Sequence, residues 1–226
     1  MKKLVIISLG GSIIIPDNVD KVFLEKFKKV ILKNTDKHKF IIVCGGGSLA
    51  RKYIAALNEK SWKFQGAAGV SATRNNAKFM SLFFDQNPEK DIPKSPKEIK
   101  KEIQNQDIVF CGAIEFKPHQ TTDTNAANLA KIFNTFFMNL TNVQGLYDKN
   151  PRKSKSARFI PQISWKEFYN FANSIKFKPG QHFVLDQEAS EIIMKHKIPT
   201  YILGKDAENL DNFLKGKEFK GTVIEG

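Results

Sequence analysis

A chain of 226 residues has room for one large domain or two closely fused lobes, and folding at that size hides roughly 70–75% of the unfolded surface without any disulfide or metal staple. Hydrophobic residues make up 41% and charged ones 26%, with 14 Gly and 9 Pro, which excludes a collagen-like or wholly disordered chain; apolar runs as short as Phe40 to Cys44 exclude a membrane-spanning helix. The net charge of +13 favours anionic partners (nucleic acid, anionic lipid or phosphorylated metabolites), or else reflects solvated lysines on helix faces.

In chain order, Leu4 to Ser8 reads as a strand buried on both faces, because a short continuous apolar run suits a parallel sheet. Gly10-Gly11-Ser12 interrupts the apolar start, and no Ala-x-Ala site follows, so a signal peptide fits poorly. Asn18 can cap a helix with Val22, Phe23, Phe27, Val30 and Ile31 on one face. Phe40 to Cys44 is a second strand, and Gly45-Gly46-Gly47 leads into a helix from about Ser48 to Asn58. A glycine- and alanine-rich turn precedes a further helix, about Gly69 to Phe84. Pro88, Pro93 and Pro96 mark residues 85–106 as an exposed loop plus a short helix.

Asp107 to Cys111 is a third strand. A helix at Thr124 to Thr135 follows, capped by Asp123 or Thr122, then a strand at Phe136 to Leu140. Lys149 to Arg158 has five basic and no acidic residues around Pro151, which suggests a mobile loop. The remaining elements are helices near Gln187 to His196 and Ala207 to Leu214, and strands at Thr200 to Leu203 and Thr222 to Ile224. No internal repeat is present.

Alternating strands and helices predict an α/β fold with a mostly parallel sheet. Ligands in such folds sit beyond the carboxyl ends of the strands. Four strand ends carry small or polar signatures: Gly10-Gly11-Ser12, Gly45-Gly46-Gly47-Ser48, Cys111-Gly112-Ala113 and Thr141-Asn142. These are expected to converge on one crevice. Glycine turns let backbone N–H groups approach an anion, and a helix starting there adds its free N–H groups. Two such turns suggest a chain of phosphates or two phosphorylated ligands. Arg51 lies one turn into the second helix, and Arg74, Arg152 and Arg158 are the other guanidinium groups.

Other chemistries find little support. Gly-Lys occurs only before acidic residues, at Lys205-Asp206 and Lys217-Glu218, so there is no Walker A loop. Gly45 to Ala50 matches G-x-G-x-x-A, but nothing acidic lies between Lys60 and Phe84 to hold a ribose. His38, His119, His182 and His196 lack zinc-ligand spacing, and no elbow motif nominates a Ser-His-Asp triad. Magnesium, if used, would arrive on a nucleotide rather than in a protein cage. Cys44 and Cys111 read as small buried hydrophobes in a protein of the reducing cytoplasm. The lysines are dispersed, which argues against dedicated nucleic-acid binding.

Ser8-Leu9-Gly10-Gly11-Ser12, Gly45-Gly46-Gly47-x-Leu49-Ala50-Arg51-Lys52-Tyr53, Pro118-x-x-Thr121-Thr122-Asp123 and Thr141-Asn142-Val143-x-Gly145-Leu146-Tyr147-x-x-x-Pro151 occur in that order. The chain thereby resembles the UMP kinases of the amino acid kinase superfamily, archaeal-type branch, over nearly its whole length. The resemblance implies a three-layer αβα sandwich over residues 1–226, with an acceptor (UMP) side in 1–138 and an ATP side in 139–226. It implies transfer of the γ-phosphoryl of Mg-ATP to UMP in pyrimidine nucleotide synthesis, in a cytoplasmic homo-oligomer, usually a hexamer, with no membrane partner.

By residue match, Ser8, Leu9, Gly10, Gly11, Ser12 and Gly47 would cradle ATP phosphates, with Arg51 beside them. Thr141, Asn142, Tyr147 and Asn150 would contact the rest of ATP. Gly46, Gly66, Phe116, Lys117, Pro118, His119, Gln120, Thr121 and Thr122 would hold UMP. Arg51, Gly11 and Ser12 would carry the transfer itself; phosphoryl transfer needs alignment and charge neutralisation, so no general base is nominated.

The sequence departs from the family at several positions. Gly66 stands where an Asp usually binds the nucleoside ribose, Gln144 and Asn150 each replace an Asp, and His119 replaces a frequent Gly. Ser8 occupies a position that is Lys in some members, and the stretch after Phe84 is shortened. Two alternatives therefore stay open: a relative with another small acid or phosphate as acceptor, or a nucleotide-binding regulatory protein with weak catalysis.

Overall fold

A computed structural model describes residues 2–114, 121–174 and 185–226. The first strand, β1 (Lys3–Leu9), runs almost directly into the four-residue helix α1 (Gly11–Ile14). In α2 (Lys21–Lys33) the cap is Asp20 rather than Asn18, its carboxylate accepting from the Phe23 N–H at 3.1 Å. The buried face is Phe23, Leu24, Phe27 and Ile31, while Val22 is 71% exposed. Val22 lies about 140° around the helix from Phe27, outside any single apolar stripe.

Next come β2 (His38–Cys44), α3 (Gly47–Ala56) and α4 (Trp62–Phe83). The stretch read as a turn before Gly69 is thus the opening of α4. Each glycine there costs about 1 kcal/mol in helix propensity, and packing against α3 offsets it. A side chain on Gly69 would meet Ile54 Cδ1 at 3.4 Å. Beyond the proline-rich loop lie α5 (Pro96–Asn105), β3 (Ile108–Cys111), α6 (Thr122–Ile132) and β4 (Phe137–Thr141). The cap of α6 is Thr121, one residue before the expected positions; its hydroxyl accepts from the Asp123 N–H at 3.0 Å.

The second half opens with a small hairpin, β5 (Leu146–Tyr147) paired antiparallel to β6 (Phe159–Ile160). The basic segment expected to be a mobile loop is the hairpin's connection. Its base is closed by Asp148, whose N–H donates to Arg158 O at 3.0 Å and whose carboxylate accepts from the Arg158 N–H at 2.7 Å. The short β7 (Gln162–Ile163) leads into α7 (Trp165–Ser174), a helix that the sequence reading overlooked. Its start is a capping box: Ser164 Oγ accepts from the Glu167 N–H, and the Glu167 carboxylate accepts from the Ser164 N–H. Then follow α8 (Gln187–His196), β8 (Thr200–Gly204), α9 (Ala207–Leu214) and β9 (Gly221–Ile224).

The main sheet has the order β3-β2-β1-β4-β8-β9-β7. The pairs from β3 through β8 are parallel, as expected, whereas β9 runs antiparallel to β8 and carries β7 parallel to itself. Registers of Leu9↔Cys44 and Leu9↔Leu140 bring the carboxyl ends of β2, β1 and β4 level, so their turns open on one edge. Thr222 on β9 fastens the hairpin to the sheet: its hydroxyl accepts from the Leu146 N–H at 2.8 Å and donates to Ile160 O at 2.6 Å. Cys44 and Cys111 are buried free thiols, and burial pushes Cys111 up to about 12, consistent with unreactive packing residues. Among the described residues no helix is long and apolar enough to cross a membrane.

Candidate functional site

The turns after β1 and β2 touch main chain to main chain. Gly45 N–H donates to Leu9 O at 2.9 Å, and a Cβ built on Gly11 would fall 2.0 Å from Gly47 N and 2.6 Å from Gly45 C. A Cβ on Gly45 would sit 2.4 Å from Gly11 N in return. Gly47 has φ +59°, a left-handed backbone that disfavours a side chain. Gly10 N–H and Ser48 N–H find acceptors in Leu140 O and Ile15 O. The amides of Gly11, Ser12, Gly46 and Gly47 have no protein acceptor among the described residues. All four of these residues line one cleft of about 640 Å³ at the carboxyl edge of the sheet.

Other elements complete the walls. Exposed Arg51 reaches in from α3 with no ion-pair or hydrogen-bond partner among the described residues, and Thr121, Thr122 and Asp123 come from the start of α6. Thr141 and Asn142 follow β4, and the Asn142 amide donates to Ser12 Oγ at 3.4 Å. The hairpin contributes Tyr147, which meets the Phe159 ring edge-on at 5.4 Å, and its loop contributes Lys149, Asn150, Arg152 and Lys153. Asn150 Oδ1 accepts from the Arg152 N–H at 2.9 Å, and the Arg152 guanidinium donates to Asn142 O at 3.3 Å. Cationic groups and free amides thus converge on a space large enough for phosphorylated ligands.

Two carboxylates lie at the base. Asp186, capping α8, accepts from the Thr124 hydroxyl at 2.7 and 2.8 Å, from the Thr121 hydroxyl, and from the Ala189 N–H at 2.6 Å. Asp123 accepts from Ser8 Oγ at 2.6 Å, and the Asn139 side chain also bonds it. Burial first, and the nearby Asp186 charge second, raise Asp123 to about 7, against the pull of Ser8 and Asn139. The side chain keeps some solvent access through the mouth of the cleft, so surrounding protein mass rather than complete exclusion of water raises it.

The sign of the resulting pH dependence follows from linkage. Between about pH 4 and 7 the native protein holds a proton on Asp123 that the unfolded chain has released, so stability falls as pH rises through that window. Asp123→Asn keeps an acceptor for Ser8 and removes the charge. The variant is expected to be more stable than the parent at pH 8, by on the order of 1–2 kcal/mol after allowing for solvent screening, with no gain at pH 4. Urea unfolding at the two pH values checks this; an equal effect at both removes the buried-charge explanation.

Most residues singled out in the sequence meet here. Gly10, Gly11, Ser12, Gly46, Gly47, Arg51, Thr121, Thr122, Thr141, Asn142, Tyr147 and Asn150 all line the cleft. Ser8 and Leu9 do not: both are fully buried, Ser8 turned toward Asp123 and Leu9 packed in the core. Gly66 sits in the second turn of α4, off the cleft lining. Phe116, Lys117, Pro118, His119 and Gln120 lie outside the described residues. Of the four strand ends, Cys111-Gly112-Ala113 stays behind the cleft, pressed on α4; a Cβ on Gly112 would lie 2.6 Å from Arg74 N.

Sequence reasoning missed Asp123 as more than a cap, and it missed Asp186, Arg152 and Lys153 as cleft residues. Asp123 stood inside a quoted motif, and Asp186 directly precedes a correctly read helix, so both carried a local signal but only as caps.

The amino acid kinase family model matches residues 3–204. A uridylate kinase of Thermococcus kodakarensis is 32% identical over 225 residues, covering 98% of this chain and 99% of the relative. That of Thermoplasma volcanium is 34% identical over 229 residues, covering 100% and 99%. The crystal structure of uridylate kinase from Archaeoglobus fulgidus superposes with a TM-score of 0.83 at 30% identity, covering 98% of this chain and 99% of that one. A UMP kinase from Ureaplasma parvum shares the fold at a TM-score of 0.80, with 21% identity and both chains covered in full.

Proposed function

The chain belongs to the amino acid kinase family, and from that premise we propose that it is a UMP kinase, moving the terminal phosphoryl group of ATP to UMP to give UDP and ADP. The observation that carries this reading is the pair of abutting glycine turns, with Arg51 and four amides that have no protein acceptor among the described residues lining one cleft. The full-length likeness to uridylate kinases supports UMP as acceptor.

A UMP phosphate oxygen forms the new bond to the γ-phosphorus as the bond to the β,γ-bridging oxygen breaks, and the displaced oxygen leaves on ADP. No side chain has to accept a proton from a carbon or nucleophilic hydroxyl, so the protein's work is to align two anions and offset their charge. Gly11, Ser12 and Gly47 take the donor phosphates; Gly46 and Thr121 to Thr122 take the acceptor phosphate; Arg51 spans the two. Thr141, Asn142, Tyr147 and Asn150 hold the nucleoside end of ATP. Residues 1–138 would then form the acceptor side and 139–226 the donor side.

The family implies a magnesium ion, which when bound would offset phosphate charge. Among the described residues no three His, Cys, Asp or Glu side chains gather as ligands. Asp123 fits an ion carried in on phosphates, since a crowded carboxylate at the cleft base suits a hard cation that takes one or two protein oxygens. Asp186 already directs both oxygens to Thr121, Thr124 and Ala189. A cytoplasmic homo-oligomer, most simply a hexamer, completes the proposal on the strength of the family resemblance.

A coupled assay offering UMP, CMP and isopentenyl phosphate side by side tests it. UMP is expected to turn over at kinase-like rates, roughly 1–100 s⁻¹. Faster use of another acceptor, or binding without turnover, would replace this reading with one of its alternatives.

A further inference from the structure

The amide of Gly46 can serve a phosphate only if the Gly45–Gly46 peptide plane faces one way. A peptide unit is rigid and trans, so its C=O and the following N–H point in opposite directions. Between two glycines, with no Cβ on either side, that plane is free to rotate unless something holds it. The side chain of Asn76, on α4 and only 1% exposed, donates from its Nδ2 to Gly45 O at 2.7 Å. Gly46 N–H has no acceptor among the described residues, and Gly46 lines the cleft.

We propose that Asn76 is a positioning residue that locks the Gly45–Gly46 peptide and thereby aims the Gly46 N–H at the bound phosphate. The inference rests on the reading of the cleft as a nucleotide kinase site with Gly46 on the acceptor side. Its second effect is electronic: a hydrogen bond accepted by the carbonyl polarises the peptide and strengthens the N–H on its far side. The neighbouring Thr73 keeps α4 in register for this contact. Its hydroxyl accepts from the Ala113 N–H at 2.9 Å, while Arg74 donates to Ala113 O at 3.3 Å and Ile114 O at 3.0 Å. Residues 73–76 of α4 therefore bond the exits of both β2 and β3.

The test compares UMP with uridine, which lacks only the phosphate, by titration calorimetry on wild type and Asn76→Leu, a variant of similar shape without a donor. Wild type is expected to favour UMP strongly. In Asn76→Leu the UMP affinity should fall roughly tenfold to a hundredfold, the scale of one hydrogen bond to a charged group, while uridine affinity holds. Asn76→Gln, which keeps a donor, should recover part of the loss.

Equal weakening toward both ligands, or undiminished preference for UMP, would overturn the role of Asn76. A wild type that does not distinguish the two ligands would instead remove the kinase reading on which it rests. Should Asn76→Leu not fold, wild-type protein labelled with ¹⁵N-glycine still decides. The Gly46 amide resonance must move on adding UMP and stay in place on adding uridine, and an unmoved resonance refutes the proposal.

Discussion

Gly11→Ala is expected to lower kcat/KM for UMP phosphorylation by about 10²–10³ and to lower the melting temperature as well. The added methyl would lie 2.0 Å from Gly47 N and 2.7 Å from Gly45 O, and both obstacles are backbone rather than the yielding end of a side chain. The turns have to part by more than an ångström, and misplacement on that scale costs about 10² in a reaction that depends on alignment. Overpacking adds roughly 1–3 kcal/mol of destabilisation. Gly69→Ala supplies the contrast: its methyl meets only the flexible end of Ile54, at 3.4 Å, inside helix α4. That variant should gain about 0.5–1 kcal/mol from helix propensity and leave activity unchanged. If Gly11→Ala matched the parent in steady-state kinetics and thermal melting, the contact between the turns would not be what shapes the site.

Arg51→Ala is expected to cost on the order of 10²–10³ in kcat/KM, the effect of removing one preorganised charge from the transferring group. The guanidinium lines the cleft and is engaged by no carboxylate among the described residues, so no buried partner is orphaned and the fold should melt as before. Arg51→Lys should recover part of the activity, since an ammonium keeps the charge and loses the planar fork. Steady-state rates with UMP and ATP varied separately show which anion the residue serves. Unchanged kcat/KM in Arg51→Ala would place the residue outside the reaction.

The strands of the central sheet were legible because short apolar runs have few other uses, and the glycine turns because nothing else tolerates such close main-chain contact. Element ends were harder to read. The two glycines near the start of α4 suggest a turn by propensity, yet the helix, packed along α3, runs through both. Val22 reads with Phe23, Phe27, Val30 and Ile31 as one apolar face, yet helical geometry turns it to solvent.

In α7 the capping box of Ser164 and Glu167 is a start signal that the sequence itself carries. The pairing of Asp123 with Asp186 was not visible at all. Each sits at a helix start, where an acid has a sufficient local reason to be. Only the packing of α6 against α8 shows that they share a space. Ser8 matches a family position that would contact phosphate; here its buried hydroxyl donates to Asp123, a residue of the cleft lining, a partner that sequence neighbourhood does not disclose.

The bonds from Thr222 have a bearing on how the molecule is born. The hairpin over the cleft, with Tyr147 and its string of basic residues, is tied down at both ends by a hydroxyl that lies 76 positions beyond Leu146 and 62 beyond Ile160. During translation the floor of the cradle can therefore settle long before its cover can be latched. A nascent polypeptide interrupted ahead of that threonine would carry both glycine bends and still be unable to enclose a triphosphate.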